Sequence, residues 1–129
     1  MSQARRVCLI DDDPFVRDAL SLGLSDSGFD VWVAPGAAAA LDMLEREPVD
    51  AVVTDMKMPG FHGGALIAAL RERWPLLPVI AISGGGEIGG KSVEDIARDQ
   101  GADACLVKPF RAKDIADALE RAFATPRGS

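Results

Sequence analysis

Histidine occurs once in this 129-residue chain, cysteine twice and tyrosine not at all. The lone histidine, His62 in Gly60-Phe61-His62-Gly63, has no companion set of His and Cys ligands for a zinc-type site, and it reads as an exposed loop residue. Cys8 and Cys105 each lie inside a short apolar run, where a free thiol behaves as a small buried hydrophobe. Positive charge is also scarce: 14 Lys plus Arg stand against 20 Asp plus Glu, a net charge of −6. Affinity for phosphate backbones rests on clustered cations, so this balance argues against a nucleic-acid binder. Long hydrophobic runs are missing too. The longest, Leu76 to Ile82, contains Pro78 and falls far short of the roughly 18 residues that suggest a membrane span. At the N-terminus Arg5 and Arg6 are followed only by Val7 to Ile10 before three aspartates, too little for a signal peptide. The expectation is a cytoplasmic protein that contacts neither membrane nor nucleic acid.

What is present is ordinary globular composition, 48% apolar and 26% charged. At this length folding removes roughly two-thirds of the unfolded chain's surface from water, enough for a core without metal or disulfide staples. A single domain over residues 1–129 is expected, structured from about 5 to 124, with 125–129 as a frayed polar tail. Five short apolar runs, Val7–Ile10, Asp30–Ala34, Ala51–Thr54, Val79–Ile82 and Ala104–Val107, alternate with longer segments of helical period. Val16, Leu20 and Leu24 form one such stripe, as do Leu41 with Leu44, and Leu66, Leu70 and Trp74. Val93, Ile96 and Ala97 mark a fourth helix, and Ile115, Leu119, Ala122 and Phe123 a fifth. Asp13-Pro14 is an N-cap followed by proline at the first helical position, and Gly28 and Gly101 sit where helices stop. The alternation predicts a (βα)5 α/β fold, a doubly wound parallel sheet covered by helices.

In open parallel sheets ligands bind beyond the carboxyl ends of the strands, so the residues ending each run are the candidates. The first run ends in Asp11-Asp12-Asp13, the third in Asp55, the fourth in Ser83 and the fifth in Lys108. The second ends in Ala34-Pro35, as suits a strand away from the site. Asp11, Asp12 and Asp55 on one rim raise each other's pKa, and a hard divalent cation relieves the repulsion. Lys108 adds a positive charge and Ser83 a hydrogen bond, the equipment for stabilising a transferring phosphoryl group. Asp55, alone at the end of the central strand, is the natural nucleophile, while Asp11 and Asp12 are placed to hold metal. Asp13 is better explained as the helix cap.

As a set, these motifs resemble the receiver domain of two-component response regulators, and the resemblance runs over nearly the whole chain. It is carried by Asp11 and Asp12 after Val7-Cys8-Leu9-Ile10, by Asp55 opening Asp55-Met56-Lys57-Met58-Pro59-Gly60, by Ser83, and by Lys108-Pro109-Phe110. The resemblance implies a flavodoxin-like sheet of strand order 2-1-3-4-5 and a stand-alone phospho-receiver. Asp55 would take phosphoryl from a histidine kinase or histidine phosphotransfer protein. Mg²⁺ would be held by Asp12, Asp55 and the backbone carbonyl of Lys57, with Asp11 acting largely through water. The chain would then be no conventional enzyme, but would catalyse its own phosphorylation and slow dephosphorylation. It also implies a cis Lys108-Pro109 bond, an unknown downstream protein partner, and an output and homodimer face of helix 4, strand 5 and helix 5. Two departures stand out. Cys105 occupies the position that usually holds a switch aromatic, and Gly84 opens a Gly84-Gly85-Gly86 run that implies a mobile loop between the fourth strand and fourth helix. Lys57, two residues past Asp55, would set a further cation beside the phosphoryl group. With that strand order Cys8 and Cys105 lie about 14 Å apart across the sheet, beyond disulfide reach. Trp74 is expected to pack at a helix end and Trp32 on the second strand.

Two rival motifs are real. Gly85 to Ser92 matches the phosphate-loop pattern G-x4-G-K-[ST], which makes a small P-loop nucleotide-binding protein the alternative. After Ser92, however, the chain has room for little more than one strand and one helix, and the Asp11, Asp12, Asp55, Lys108 set is left unexplained. In that case Lys91 is simply an early residue of the fourth helix. Asp11-x-Asp13 with Ser83 and Lys108 also suggests a haloacid-dehalogenase-like phosphatase. That chemistry needs a later acidic motif, and only Asp114, Asp117 and Glu120 of the fifth helix follow.

Overall fold

Each apolar run becomes a strand because it is short, rich in Val and Ile, and bounded by turn residues. The computed structural model describes residues 4–56 and 64–125. Lys57, His62 and the tail 126–129 lie outside the described residues. In chain order the elements are β1 (Arg6–Ile10), α1 (Pro14–Asp26), β2 (Asp30–Ala34), α2 (Ala37–Arg46), β3 (Ala51–Asp55) and α3 (Ala65–Arg73). They continue with β4 (Val79–Ser83), β5 (Glu87–Ile88), β6 (Lys91–Ser92), α4 (Val93–Gln100), β7 (Ala104–Val107) and α5 (Ala112–Ala124). The main sheet is parallel with order β2-β1-β3-β4-β7, which is the expected 2-1-3-4-5 order with β7 as its fifth strand.

Because the strands are covered on both faces, their residues are apolar on both, as a parallel sheet requires. One face packs Cys8, Ile10, Val52 and Ala81 against Leu44 of α2, Leu70 of α3 and Ala97 of α4. The other packs Val7, Leu9, Val53 and Ile80 against Leu24 of α1 and Leu119 of α5. Each Val, Leu or Ile among them, removed from water, contributes on the order of 1.5–3 kcal/mol. On the second face α1 and α5 approach so closely that a Cβ on Gly23 would run into the Cβ of Ala112.

Asp13 caps α1, its side chain accepting from the N–H groups of Phe15 (2.9 Å) and Val16 (3.3 Å), with Pro14 at the first helical position. Gly101 closes α4 in the left-handed region at φ 111°, where a side chain would be strained. Cys8 on β1 and Cys105 on β7 are free thiols with β3 and β4 between them. Trp32 lies on β2 under the Arg6 guanidinium, 4.3 Å from its ring centre, and Trp74 ends α3 packed against the core. No helix among the described residues is long and apolar enough to cross a membrane.

The region after Ser83 departs from expectation. Beyond the glycine run the chain forms a short antiparallel ribbon, Glu87 opposite Ser92 and Ile88 opposite Lys91, turning through Gly89 and Gly90, both at positive φ. Lys91 is therefore not an early residue of the fourth helix. It belongs to β6, and α4 starts at Val93, because Ser92 caps that helix by accepting from the Asp95 N–H at 3.1 Å.

Candidate functional site

The carboxyl ends of β1, β3, β4 and β7 meet on one rim, and there the strands reach slightly further than their apolar runs. Asp55 is the last residue of β3 and Ser83 the last of β4, each still held in the sheet. The Asp11-Asp12-Asp13 segment leaves β1 and turns directly into α1. Asp11 donates its N–H to the Ala34 carbonyl at 3.3 Å, and its carboxylate accepts the Asp13 N–H at 2.9 Å. The carboxylates of Asp11, Asp12 and Asp55 each offer an oxygen, and these atoms lie within 4.8 Å of one another. Asp11 is only 2% exposed, Asp55 is half-buried and Asp12 is exposed.

Burial pushes the Asp11 carboxyl above the usual aspartate range, and the charges of Asp55, Asp12 and Asp13 push it the same way. The Asp13 N–H, bonded to the ionised form, opposes them. Asp11, Asp55, Ser83 and Lys108 line a common cleft of about 70 Å³, walled on its apolar side by Val16 and Phe110. Ser83 is buried, and its Oγ accepts the Gly85 N–H at 3.0 Å. Lys108 is exposed, its backbone N–H bonds to the Ser83 carbonyl at 3.0 Å, and the Lys108-Pro109 bond is cis.

The structure thus brings Asp11, Asp12, Asp55, Ser83 and Lys108 together; the Lys57 carbonyl lies outside the described residues. An all-oxygen set of three carboxylates, one of them buried, is the chemistry of a site for a hard divalent cation rather than for zinc or copper. Among the described residues, sequence reasoning missed one of this neighbourhood. Arg17 reaches back along α1 and its Nη1 donates to the Asp11 carbonyl at 3.2 Å. Its only trace in the sequence is the spacing, four residues after the capping Asp13, which places it one helical turn above the loop.

The phosphate-loop motif is spent elsewhere. Lys91 sits in β6 with its ammonium paired to Asp99 of α4, and that partner raises its pKa. The phosphatase reading also lacks its late acidic residues, because Asp114, Asp117 and Glu120 are carried by α5, where Asp114 bonds the Arg111 N–H and Asp117 pairs with Lys113.

Comparison with known proteins points to one family and one fold. The family model described as the response regulator receiver domain matches residues 7–120. The response regulator protein FleR of Pseudomonas aeruginosa is 39% identical over 118 residues, covering 92% of this chain and 24% of its own length. A response regulator receiver domain protein from Clostridium thermocellum superposes with a TM-score of 0.84 at 26% identity, over 93% of this chain and 94% of that one. NtrX from Brucella abortus has a TM-score of 0.84 at 31% identity, over 95% of this chain and 27% of that one. The chain spans about a quarter of the length of curated relatives such as FleR.

Proposed function

This chain belongs to the family of response regulator receiver domains, a component of two-component signalling, and from that premise we propose that it accepts a phosphoryl group on Asp55 from the phosphohistidine of a kinase or phosphotransfer protein. The observation that carries the reading is the meeting of Asp55 with two further carboxylates within 4.8 Å, on a cleft that Lys108 and Ser83 also line.

Asp11, Asp12 and Asp55 would hold Mg²⁺, with the Lys57 carbonyl as a further ligand. When bound, the ion neutralises part of the acidic cluster and draws negative charge from the phosphoryl oxygens. The chain's own residues do the rest. A carboxylate oxygen of Asp55 forms the new bond to phosphorus as the bond from phosphorus to the donor imidazole breaks, and the imidazole nitrogen keeps the electron pair. The Lys108 ammonium pairs with the phosphoryl oxygens and the Ser83 hydroxyl donates to one of them, so charge is met by groups already in place. Val16 and Phe110 keep one side of the cleft apolar, which strengthens these contacts by excluding water. Hydrolysis of the aspartyl phosphate in the same site returns the protein to its starting state. Between the two events, population shifts toward a conformation read by a downstream protein. By family likeness the face offered to that partner, or to a second copy, is α4, β7 and α5.

The test is intact mass after incubation with acetyl phosphate and Mg²⁺, for wild type beside Asp55→Asn, with ATP hydrolysis assayed on the same samples. One hydroxylamine-labile phosphoryl adduct on wild type alone, without ATP turnover, is the expected result. An adduct that survives in Asp55→Asn, or ATP turnover that depends on Lys91, overturns it.

A further inference from the structure

The Asp11–Asp12 segment is under electrostatic load. Its carboxylates crowd that of Asp55, and repulsion among three like charges drives the segment away from the rim. Part of the counterforce is the bond from the Asp13 N–H to the Asp11 carboxylate at 2.9 Å, and the rest comes from bonds to the segment's backbone. Among the described residues two such bonds are made at Asp11. The N–H bonds to the Ala34 carbonyl on β2, which fixes the end of the strand, at a long 3.3 Å. The carbonyl accepts from Arg17 at 3.2 Å, which fixes the peptide plane joining Asp11 to Asp12. That plane sets the backbone rotation from which the Asp12 side chain departs, and so decides whether both carboxylates face the same point.

Arg17 is well placed for this task. Its backbone is held in the first turn of α1 by the bond from its N–H to the Asp13 carbonyl at 2.9 Å. Helical side chains lean toward the N-terminus, so its guanidinium returns over the loop that starts the helix. The side chain is half-buried and permanently charged, and its bond to a carbonyl is of the charge-assisted kind.

We propose that Arg17 is a positioning residue of the acidic site: through the Asp11 carbonyl, its guanidinium holds the Asp11–Asp12 segment so that both carboxylates are presented to a divalent cation. The inference rests on the reading of Asp11, Asp12 and Asp55 as a cation site. A property of the arrangement separates positioning from simple charge. Removing a cation beside the site would by Coulomb's law alone tighten the binding of another cation. Removing a positioning group loosens it, because partners behind the ligands of a metal site typically account for 10–100-fold in affinity.

The experiment is calorimetric titration of Mg²⁺ into the full chain at constant ionic strength, for wild type, Asp12→Ala, Arg17→Lys and Arg17→Met, with thermal melts of each in chelator. Arg17→Met is expected to bind Mg²⁺ about tenfold more weakly than wild type. Arg17→Lys, which keeps a charge and a donor, should recover most of the difference. If Arg17→Met does not fold, Arg17→Gln is titrated against the same criterion. Affinity equal to or tighter than wild type in the uncharged variant overturns the role of Arg17, including the case in which only the melting temperature drops. Absence of Mg²⁺ binding by wild type, or equal affinity in Asp12→Ala, instead overturns the cation site beneath it.

Discussion

Arg71 is a polar side chain whose removal should be costly, and the cost follows from where it lies. It leaves α3 and ends in a knot of backbone carbonyls at the edge of the sheet opposite the acidic rim. Its Nε and Nη2 donate to the Gly101 carbonyl at 3.2 and 2.8 Å, and its Nη1 reaches the carbonyls of Leu77 (2.7 Å), Pro75 (3.0 Å) and Trp74 (3.2 Å). It also faces Asp103 at 3.5 Å, whose carboxylate accepts the Val79 N–H at 2.8 Å. One side chain therefore ties the end of α3, the turn into β4 and the turn from α4 into β7. The side chains of Arg71 and Asp103 are 15% and 17% exposed, so water replaces few of these bonds when the guanidinium goes. A hydrogen bond to a charged group is worth on the order of 1.5–3 kcal/mol, and Nη1 has two protons for three acceptors, so not all the contacts count in full. Arg71→Met, which keeps the apolar stem, should then cost about 2–3 kcal/mol, the worth of one or two hydrogen bonds to a charged group in a part-buried setting. That is a large part of the roughly 5–15 kcal/mol that holds a domain folded, and it should lower the melting temperature by about 10 °C. Arg73→Met is the control. Arg73 pairs with Glu45 at a shorter 2.5 Å, but the two side chains are 57% and 45% exposed, and such a pair contributes no more than about 1 kcal/mol. Urea unfolding followed by circular dichroism measures both. A loss below about 1 kcal/mol for Arg71→Met, or one no larger than that of the control, would refute the argument that burial outweighs distance here.

Three further outcomes are expected. Gly23→Ala gains up to about 1 kcal/mol of helix propensity but drives a methyl group into Ala112, and overpacking of about 1–3 kcal/mol should win. Thermal melts should show net destabilisation that Gly23→Ala with Ala112→Gly relieves. The raised pKa of Asp11 means that the folded state holds its proton at a pH where the unfolded chain has released it, so this group lowers stability as pH rises through that window. Without metal, Asp11→Asn should melt above wild type at neutral pH, and saturating Mg²⁺ should reverse the order; a lower melting point for the metal-free variant counts against the repulsion. Burial raises the Cys8 thiol to about 12 and, with Glu94 adding to it, the Cys105 thiol to about 11. At pH 8 Cys105 then carries about a hundredfold less thiolate than an ordinary cysteine, so mass spectrometry should find both thiols largely unalkylated by iodoacetamide until urea is added.

Read alone, the sequence determined the layout and the rim. Strands of a parallel sheet are buried on both faces, so Val7–Ile10, Val79–Ile82 and the other runs stand out as apolar blocks between helical stripes. The same topology sends the ends of those blocks to one edge, which is why Asp11, Asp55, Ser83 and Lys108 were legible as neighbours despite lying far apart in the chain. Local chemistry was legible as well: Asp13 before Pro14 can cap a helix using only its own neighbours. The tertiary structure decided whatever depends on contacts between distant segments or on strands too short to show a period. The β5–β6 ribbon has two residues a side among glycines, so no alternation announces it, and Lys91 was read as an early residue of the fourth helix although it lies in β6, paired with Asp99. That Asp11 is buried while its neighbour Asp12 is exposed shows only in the folded chain, where the Asp11 N–H joins the Ala34 carbonyl and the Asp11 carbonyl meets Arg17. Arg17 and Arg71 act on backbone carbonyls, groups that every residue carries alike, and only the folded chain shows which carbonyls lie within their reach.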